Sequence, residues 1–245
     1  MPRSLPADGA SLLVVAVSGR ALAASARRAG CVPLVADFFA DADTRQIAHS
    51  CCKLDDLAHS CCKLDDLKGG FQWKALAPAL EALAEAAPSP LLGVVYGAGF
   101  EDRTALLAKI AARWPLLGND ASAVGRVKAP EMFFAELTRL GIPHPRTVID
   151  PAAAGSGWLA KRQGGAGGSH IVTSHVVTNN VLGNHAAMKR KAAGRLYFQE
   201  KVEGRPVSAL FVSSGTASCV LGFSEQWAAP SPGSKWRYGG AARPA

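Results

Sequence analysis

A glycine-rich loop between two short apolar segments is the feature that most restricts how this chain can fold. Residues 158–161 are typical of a strand leading directly into the loop at residues 164–169, and residues 170–173 are typical of a returning strand. A P-loop would instead place Gly-Lys-Ser or Gly-Lys-Thr at the start of a helix. The pattern therefore predicts a β-hairpin whose glycines let backbone N–H groups approach an anion closely.

The first part of the chain predicts an α/β domain. Apolar segments at residues 12–17 and 32–36 flank an Ala- and Arg-rich helical segment at residues 21–29, and the short connections imply a parallel pair of strands. The alternation continues with a helix at residues 73–86, a strand at 91–96, a helix at 102–113 and a short strand at 116–117. We assign residues 1–118 to this N-terminal domain.

The glycines of this domain do not predict a dinucleotide site. A Rossmann fingerprint needs three glycines, spaced G-x-G-x-x-G, between a strand and a helix. Only Gly19 precedes the first helix, and the later loop Gly97-Ala98-Gly99 offers two glycines followed by Phe100. We therefore do not expect a nicotinamide or flavin cofactor.

A tandem repeat accounts for most of the cysteines. Residues 48–57 read AHSCCKLDDL, residues 58–67 repeat them without a change, and four of the six cysteines come from the two copies. A zinc site would have these cysteines and two histidines as ligands, but adjacent cysteines rarely bind one metal and the spacing fits no known zinc pattern. We interpret the repeat as an insertion tolerated in a surface segment, because loops accept extra residues at small cost, and we predict no metal site.

The positive charge is confined to the last part of the chain. The formal net charge is +8. Residues 1–150 carry 16 acidic and 16 basic side chains, whereas residues 151–245 carry 3 acidic and 11 basic ones, and 11 − 3 = 8. A uniformly basic surface is therefore excluded, and any anionic partner is expected at the C-terminal part.

Nucleic acid and membranes are not expected partners. A single-stranded nucleic-acid site in the basic region 189–205 would need aromatic side chains interleaved on a sheet face, and only Tyr197 and Phe198 are near. The apolar run at residues 12–17 is too short for a secretory signal, and no segment approaches the roughly 20 apolar residues of a membrane span. We predict a cytoplasmic protein.

The order of motifs in the second half resembles the ATP-grasp superfamily. Lys128 precedes a helix and a Gly-Ile-Pro-His-Pro turn, Lys161 leads into the glycine-rich loop, and a strand ending at Gln199 follows. The resemblance implies that Lys128 and Lys161 hold nucleotide phosphates. It further implies that the loop is a lid, formed by Gly164, Gly165, Gly167, Gly168 and Ser169, and that the adenine is held by a hinge, formed by Gln199, Glu200, Lys201 and Val202. The commonest pattern has Glu in place of Gln199, whose amide oxygen can also accept from an adenine amine.

The resemblance also implies the architecture, which combines α/β and α+β parts. After residues 1–118, we expect a first ATP-grasp subdomain at residues 119–198 and the hinge with the start of a second, incomplete subdomain at residues 199–245. More narrowly, three stretches are similar to ATP-grasp proteins found with tetrahydromethanopterin-linked one-carbon metabolism in methylotrophic bacteria, namely VVYGAGFEDR, WLAKRQGGAGGSHI and YFQEKVEGRPVSALFV.

The activity implied by the resemblance is ATP-dependent ligation. ATP phosphorylates a small-molecule carboxylate, and an amine or similar nucleophile attacks the acyl-phosphate, with lysines, backbone donors and Mg²⁺ stabilising charge. The family's Mg²⁺ ligands are an acidic residue and a later Glu-x-Asn pair, but Glu225 is the only acidic residue after Glu203. We therefore expect a C-terminally truncated chain without metal ligands. The alternative is a nucleotide-binding remnant without ligase activity, and no catalytic residue is assigned.

Two histidines lie beside these motifs. His144 stands between two prolines of a turn, and His170 directly follows the loop. We interpret both as structural, with contact to a phosphate left open for His170.

Overall fold

The structure, a computed structural model, describes residues 9–54, 69–168, 170–173, 195–232 and 235–243. The chain divides into two units, Met1–Gly125 and Arg126–Ala245. The domain boundary predicted at residue 118 lies close to this division and stays a prediction. No helix within the described ranges is long and apolar enough to cross a membrane.

A four-stranded parallel sheet forms the centre of the first unit. Its strands are β1 (Ser11–Val15), β2 (Val32–Asp37), β3 (Ser50–Lys53) and β4 (Leu91–Tyr96), in the order β3-β2-β1-β4. β1 lies between β2 and β4, pairing Leu13 with Leu34 on one side and with Val94 on the other. The predicted parallel pair is therefore confirmed. Continuous apolar stretches form these strands because helices cover parallel sheets on both faces.

Five helices among the described residues accompany this sheet. They are α1 (Arg20–Arg28), α2 (Ala42–Ile47), α3 (Trp73–Glu85), α4 (Thr104–Ala111) and α5 (Ala121–Lys128). The sequence did not predict α2, whose first turn is fixed by Asp41 because the carboxylate accepts the backbone N–H of Thr44 at 2.8 Å. Two core clusters lie on the sheet, and the larger one includes Phe71 stacked on Phe100 with ring centroids 4.5 Å apart.

The first copy of the tandem repeat, which we expected in a surface segment, contributes a strand at the edge of the sheet. Residues Ser50–Lys53 are the edge strand β3, pairing Ser50 with Leu34 and Cys52 with Ala36. Cys51 and Cys52 are partly buried there, because they point to opposite faces of the strand and each packs against one of the two core clusters. The second copy lies outside the described residues, as do residues 55–57 of the first.

The second unit begins with helix α6 (Pro130–Arg139) and a four-stranded antiparallel sheet. The strands are β5 (Thr147–Val148), β6 (Leu159–Arg162), β7 (Ile171–Thr173) and β8 (Leu196–Gln199), in the order β5-β8-β6-β7. A 3₁₀ helix at Pro151–Ala153 lies between β5 and β6. The buried cluster of this sheet is small and contains Ala154, Trp158, Ala160 and Phe198.

A three-stranded antiparallel sheet follows. It consists of β9 (Val207–Ser213), β10 (Ser218–Ala228) and β11 (Tyr238–Ala242), in the order β11-β10-β9. The sequence does not predict β11, because Gly239 and Gly240 directly follow Tyr238 and glycine is unusual within strands. The ring of Trp227 on β10 lies against Gly240 so closely that an added Cβ there would overlap it. The tryptophan therefore supplies the packing that the glycines of β11 lack.

Candidate functional site

The glycine-rich loop joins two paired strands, as predicted. β6 and β7 are antiparallel, and Lys161 lies opposite Ile171. Gly164, Gly167 and Gly168 have φ values of 73°, 69° and 79°, which other residues rarely adopt. Ser169 lies outside the described residues. The hairpin is therefore confirmed, and its conformation needs glycine at three of the predicted lid positions.

The tip of the loop is held against the segment that enters β11. The backbone N–H of Tyr238 donates to the carbonyl oxygen of Gly167 at 2.9 Å. A Cβ on Gly168 would overlap the carbonyl oxygen of Trp236. Trp236 also donates its indole N–H to the Thr173 hydroxyl at 3.3 Å. The structure thus fixes the loop by backbone contacts that the sequence did not predict.

Lys161 and Gln199 meet on adjacent strands. β6 and β8 pair so that Leu159 lies opposite Gln199 and Lys161 opposite Tyr197, which places Lys161 diagonally across from Gln199 on one face. The ammonium of Lys161 donates to Oε1 of Gln199 at 2.6 Å. Burial lowers the pKa of Lys161, because desolvation disfavours the charged form. The predicted phosphate lysine and the first hinge residue are therefore in direct contact.

The amide nitrogen of Gln199 also forms a hydrogen bond. Nε2 donates to the Thr147 hydroxyl at 3.0 Å, and that hydroxyl donates to the carbonyl oxygen of Pro145 at 3.0 Å. Gln199 is only 8% exposed. Sequence reasoning missed Thr147, which meets Gln199 only because β5 and β8 are neighbours in the sheet. That Gln199 accepts a hydrogen bond from an adenine amine stays a prediction, because its Oε1 already accepts one from Lys161.

The remaining hinge residues lie on the surface. The backbone N–H of Glu200 donates to the carbonyl oxygen of Arg146 at 2.9 Å, which continues the β5–β8 pairing. Glu200, Lys201 and Val202 are exposed, and Lys201 forms an ion pair with Glu203. Their hinge role stays a prediction.

His170 marks a cluster of positive charge beside the loop. Burial lowers the pKa of His170, a hydrogen bond to the carbonyl of Ala166 opposes that shift, and the charges of Arg162, Lys161 and Lys128 lower the pKa further. The imidazole packs so closely on Gly165 that a Cβ there would overlap it. Both predicted phosphate lysines therefore lie near enough to His170 to act on its charge.

His144 has the structural surroundings that we expected. Its Nε2 lies 2.9 Å from the Thr138 hydroxyl, its Nδ1 lies 3.0 Å from the Pro145 carbonyl oxygen, and its ring centroid lies 5.2 Å from that of Phe134. The ring lines an open pocket of about 250 Å³ beside α6. Since both ring nitrogens face partners from the chain, His144 joins the turn to the helix.

The described acidic residues do not fit a magnesium site. Glu203 pairs with Lys201, and Glu225 lies 3.9 Å from Arg205. No group of three or more His, Cys, Asp or Glu residues within the described ranges could hold a metal ion. Mg²⁺ requires several oxygen ligands around one point, so we derive no chemical step through it.

In the first unit, the carboxylate of Asp37 accepts a hydrogen bond from the turn between β1 and α1. Buried Asp37, at the end of β2, accepts the backbone N–H of Gly19 at 2.8 Å. It also accepts the N–H groups of Phe39 at 3.1 Å and Ala40 at 2.7 Å. The N–H of Gly19, which lies at the start of α1 and could face an anionic ligand there, is already satisfied internally.

Comparisons with known proteins identify the fold. No family model matches the chain, and none of the curated proteins does. N5-carboxyaminoimidazole synthetase from Staphylococcus aureus, complexed with ADP, matches with a TM-score of 0.60 and 15% identity, over 89% of this chain and 55% of that one. The Aspergillus clavatus N5-carboxyaminoimidazole synthase, in complex with ADP and 5-aminoimidazole ribonucleotide, matches with a TM-score of 0.62 and 14% identity, over 91% and 55%.

A third match comes from a different enzyme. The biotin carboxylase domain of the Hydrogenobacter thermophilus 2-oxoglutarate carboxylase, in complex with MgADP, ADP and bicarbonate, matches with a TM-score of 0.63 and 13% identity, over 87% of this chain and 49% of that one. All three are ATP-grasp enzymes. The chain is therefore a mixed α/β protein whose fold is similar to that of these ATP-grasp enzymes, and it spans about half the length of these solved structures.

Proposed function

We propose that the chain binds ATP in the manner of ATP-grasp proteins. One observation carries the proposal, namely that Lys161, Gln199 and the glycine-rich hairpin adjoin one another on neighbouring strands of one sheet. The shared fold supports it further, since three of the matched proteins are described as complexes with ADP. Lys161 and Lys128 would bind the phosphates, and the adenine would lie against residues 199–202.

The charge around the loop favours an anion. The ionised groups that act on His170 are all cations, and the ammonium of Lys161 is withdrawn from solvent. Attraction between such an ammonium and a phosphate is stronger than at a fully exposed site, because water screens it less. Glycine at positions 164, 165, 167 and 168 lets backbone N–H groups come close to phosphate oxygens.

We further propose that the bound ATP serves a carboxylate–amine ligase reaction. A carboxylate oxygen of a small-molecule acid attacks the γ-phosphorus, and the bond to the departing ADP breaks. An amine nitrogen then attacks the acyl carbon, releasing inorganic phosphate, and loses a proton to water. In this chain Lys161 and Lys128 would stabilise the charge on the transferred phosphoryl group.

A finer placement rests on the sequence resemblance alone. The stretches VVYGAGFEDR, WLAKRQGGAGGSHI and YFQEKVEGRPVSALFV are similar to ATP-grasp proteins that accompany tetrahydromethanopterin-linked one-carbon metabolism. We propose that the acid and the amine belong to that metabolism.

A second candidate function is ATP binding without ligation. It is favoured by the pairing of Glu203 and Glu225 with basic residues, which leaves no cluster of metal ligands in the described part of the chain. Release of ADP that depends on an added acid and amine would support the ligase. ATP binding without such release, over a range of candidate acids and amines, would support the second candidate.

Thermal melting in the presence of ATP tests the binding step. We expect millimolar ATP to raise the melting temperature of the wild-type chain, because a ligand that binds only the folded state stabilises it. Lys161→Ala should abolish this rise, whereas the exposed lysine change Lys74→Ala, which removes the same charge from α3, should leave it intact. No rise for the wild-type chain would contradict ATP binding altogether.

A further inference from the structure

We propose that Gln199 is a positioning residue for Lys161, holding the lysine head by a hydrogen bond to a neutral amide so that its positive charge remains available to an incoming anion. This inference rests on the proposed function for the identity of that anion, the phosphates of ATP. It assigns Gln199 a role toward the phosphates in addition to the predicted contact with adenine.

The positive charge of Lys161 has a neutral hydrogen-bond partner. Its ammonium lies 2.6 Å from a neutral amide oxygen, and burial is the cause of its lowered pKa. Within the described ranges, no carboxylate forms an ion pair with it. A carboxylate at this distance would have formed an internal ion pair of zero net charge. The amide fixes the same atom and leaves the unit charge uncompensated.

The hydrogen bonds that link Lys161, Gln199 and Thr147 have fixed directions. An ammonium can only donate, so Oε1 of Gln199 must face Lys161 and Nε2 must face Thr147. The single hydroxyl proton of Thr147 is then free to reach the carbonyl of Pro145. The series therefore consists of three hydrogen bonds with consistent directions, and it ends on the backbone.

Glutamate would not fit the same series. Its second oxygen would place an acceptor opposite Thr147, and the hydroxyl proton would have to leave Pro145 in order to satisfy it. The 8% exposure of Gln199 leaves little access for water to supply the missing donor. The chain is therefore built for an amide at the position where the commonest motif has an acid.

The hydrogen-bonded pair of Lys161 and Gln199 lies close to the glycine-rich loop. Lys161 is one residue from the end of β6, and the glycines begin at Gly164. Its charge acts on His170 on the far side of the loop. The neutral amide thus holds the lysine beside the only stretch of the described chain where three glycines with positive φ fall within five residues.

The main test compares Gln199→Glu and Gln199→Met with two probes, inorganic triphosphate and adenosine. Calorimetry should show triphosphate binding weakened about tenfold or more by Gln199→Glu, because the new carboxylate neutralises Lys161 and repels the anion. Gln199→Met, which only releases the lysine, should weaken it by about two- to fivefold. Adenosine binding should be retained in Gln199→Glu, because a carboxylate oxygen can also accept from an adenine amine. Equal loss for triphosphate and adenosine, or no loss for triphosphate, would overturn the proposal.

A double-variant cycle shows whether Gln199 acts through the lysine. If it does, Gln199→Met should have no further effect on triphosphate binding once Lys161→Met is present. Additive losses would overturn the proposal, since Gln199 would then act independently. Melting temperatures identify any variant that does not fold.

A measurement without ligand separates this proposal from the proposed function. In the protein labelled with ¹⁵N-lysine, the Lys161 ammonium should titrate below its usual 10.5, and Gln199→Glu should move the pKa upward because a carboxylate favours the charged form. Lys161→Arg assigns the signal. An unchanged pKa in Gln199→Glu would contradict the coupling, whereas a shift in a chain that binds no ATP would retain the coupling and reject only the function.

Discussion

Strand β1 of the parallel sheet and strand β9 of the three-stranded sheet each contain three consecutive large apolar residues but bury them very differently. Leu13, Val14 and Val15 on β1 are 0% exposed, whereas Leu210, Phe211 and Val212 on β9 are each about 60% exposed or more. Helices cover the faces of the first sheet. In the second, Phe211 and Phe223 share a face that the described residues leave largely exposed. Apolar composition alone therefore does not make a core, because burial requires a second layer.

The largest expected effect is in the parallel sheet. Leu34→Ala should lower the free energy of unfolding by about 2–5 kcal/mol, because Leu34 is fully buried and the cavity would be lined by packed side chains. Urea denaturation measures this loss. The matched change Leu210→Ala on β9 serves as the control. An equal loss of stability there would show that the apolar side chains of the two sheets are equally well buried.

Cysteine reactivity gives a second contrast. Burial, helped by the charge of Asp37, raises the pKa of Cys51 from 9.0 to about 11. Near pH 8 its thiolate should be about 100-fold scarcer than that of an ordinary thiol. Iodoacetamide should therefore modify exposed Cys219 on β10 long before Cys51, as read by peptide mass spectrometry. Similar rates at the two sites would contradict the burial of β3.

The raised pKa of Cys51 makes the stability of the folded state depend on pH. A thiol whose pKa is raised in the folded state stabilises that state fully below its unfolded pKa of 9.0. That contribution is lost as the pH rises through about 11. Cys51→Ser should remove this alkaline part of the stability profile, which thermal melts at pH 8, 9 and 10 would reveal.

A third prediction concerns backbone contact rather than side-chain burial. Gly168→Ala should destabilise the second unit by about 1–3 kcal/mol, because the added methyl group meets a carbonyl group of the chain and the backbone has positive φ. Gly141→Ala is the control, since Gly141 also has positive φ but nothing within 4 Å of an added Cβ. Thermal melting compares them, and equal losses would mean that conformation alone, without the contact to Trp236, decides the effect.

The smallest effect is expected on the exposed face of β9. Phe211→Ser should change the free energy of unfolding by less than about 0.5 kcal/mol, because the phenyl ring is 60% exposed. It should also increase solubility, since it shortens an apolar face on an edge strand. Urea denaturation and light scattering check the two parts. A loss comparable to that of Leu34→Ala would show that another layer covers this face in solution.

Much of the fold was predictable wherever apolar residues run continuously. The strand at residues 91–96 was predicted with the bounds that the structure has, Leu91–Tyr96. The missed elements lack that signal. α2 has only six residues and depends on a capping carboxylate, β3 lies within the repeated segment, and β11 contains two glycines that are packed by Trp227.

The candidate site was predictable as a set of residue types but not as a set of contacts. The hairpin and Lys161 followed from a strand entering a glycine-rich loop. The bond between Lys161 and Gln199 spans 38 residues, and that between Gln199 and Thr147 spans 52. Both depend on the sheet order β5-β8-β6, which the linear pattern does not encode.

The three bonds to Asp37 turn ligand binding at the first strand–turn–helix into an exchange reaction. A phosphate could gain the N–H groups of Gly19, Phe39 and Ala40 only by displacing a carboxylate that is fully buried. The displaced charge would need new partners before the exchange could become favourable. Competition from within the chain therefore disfavours anion binding at these three N–H groups.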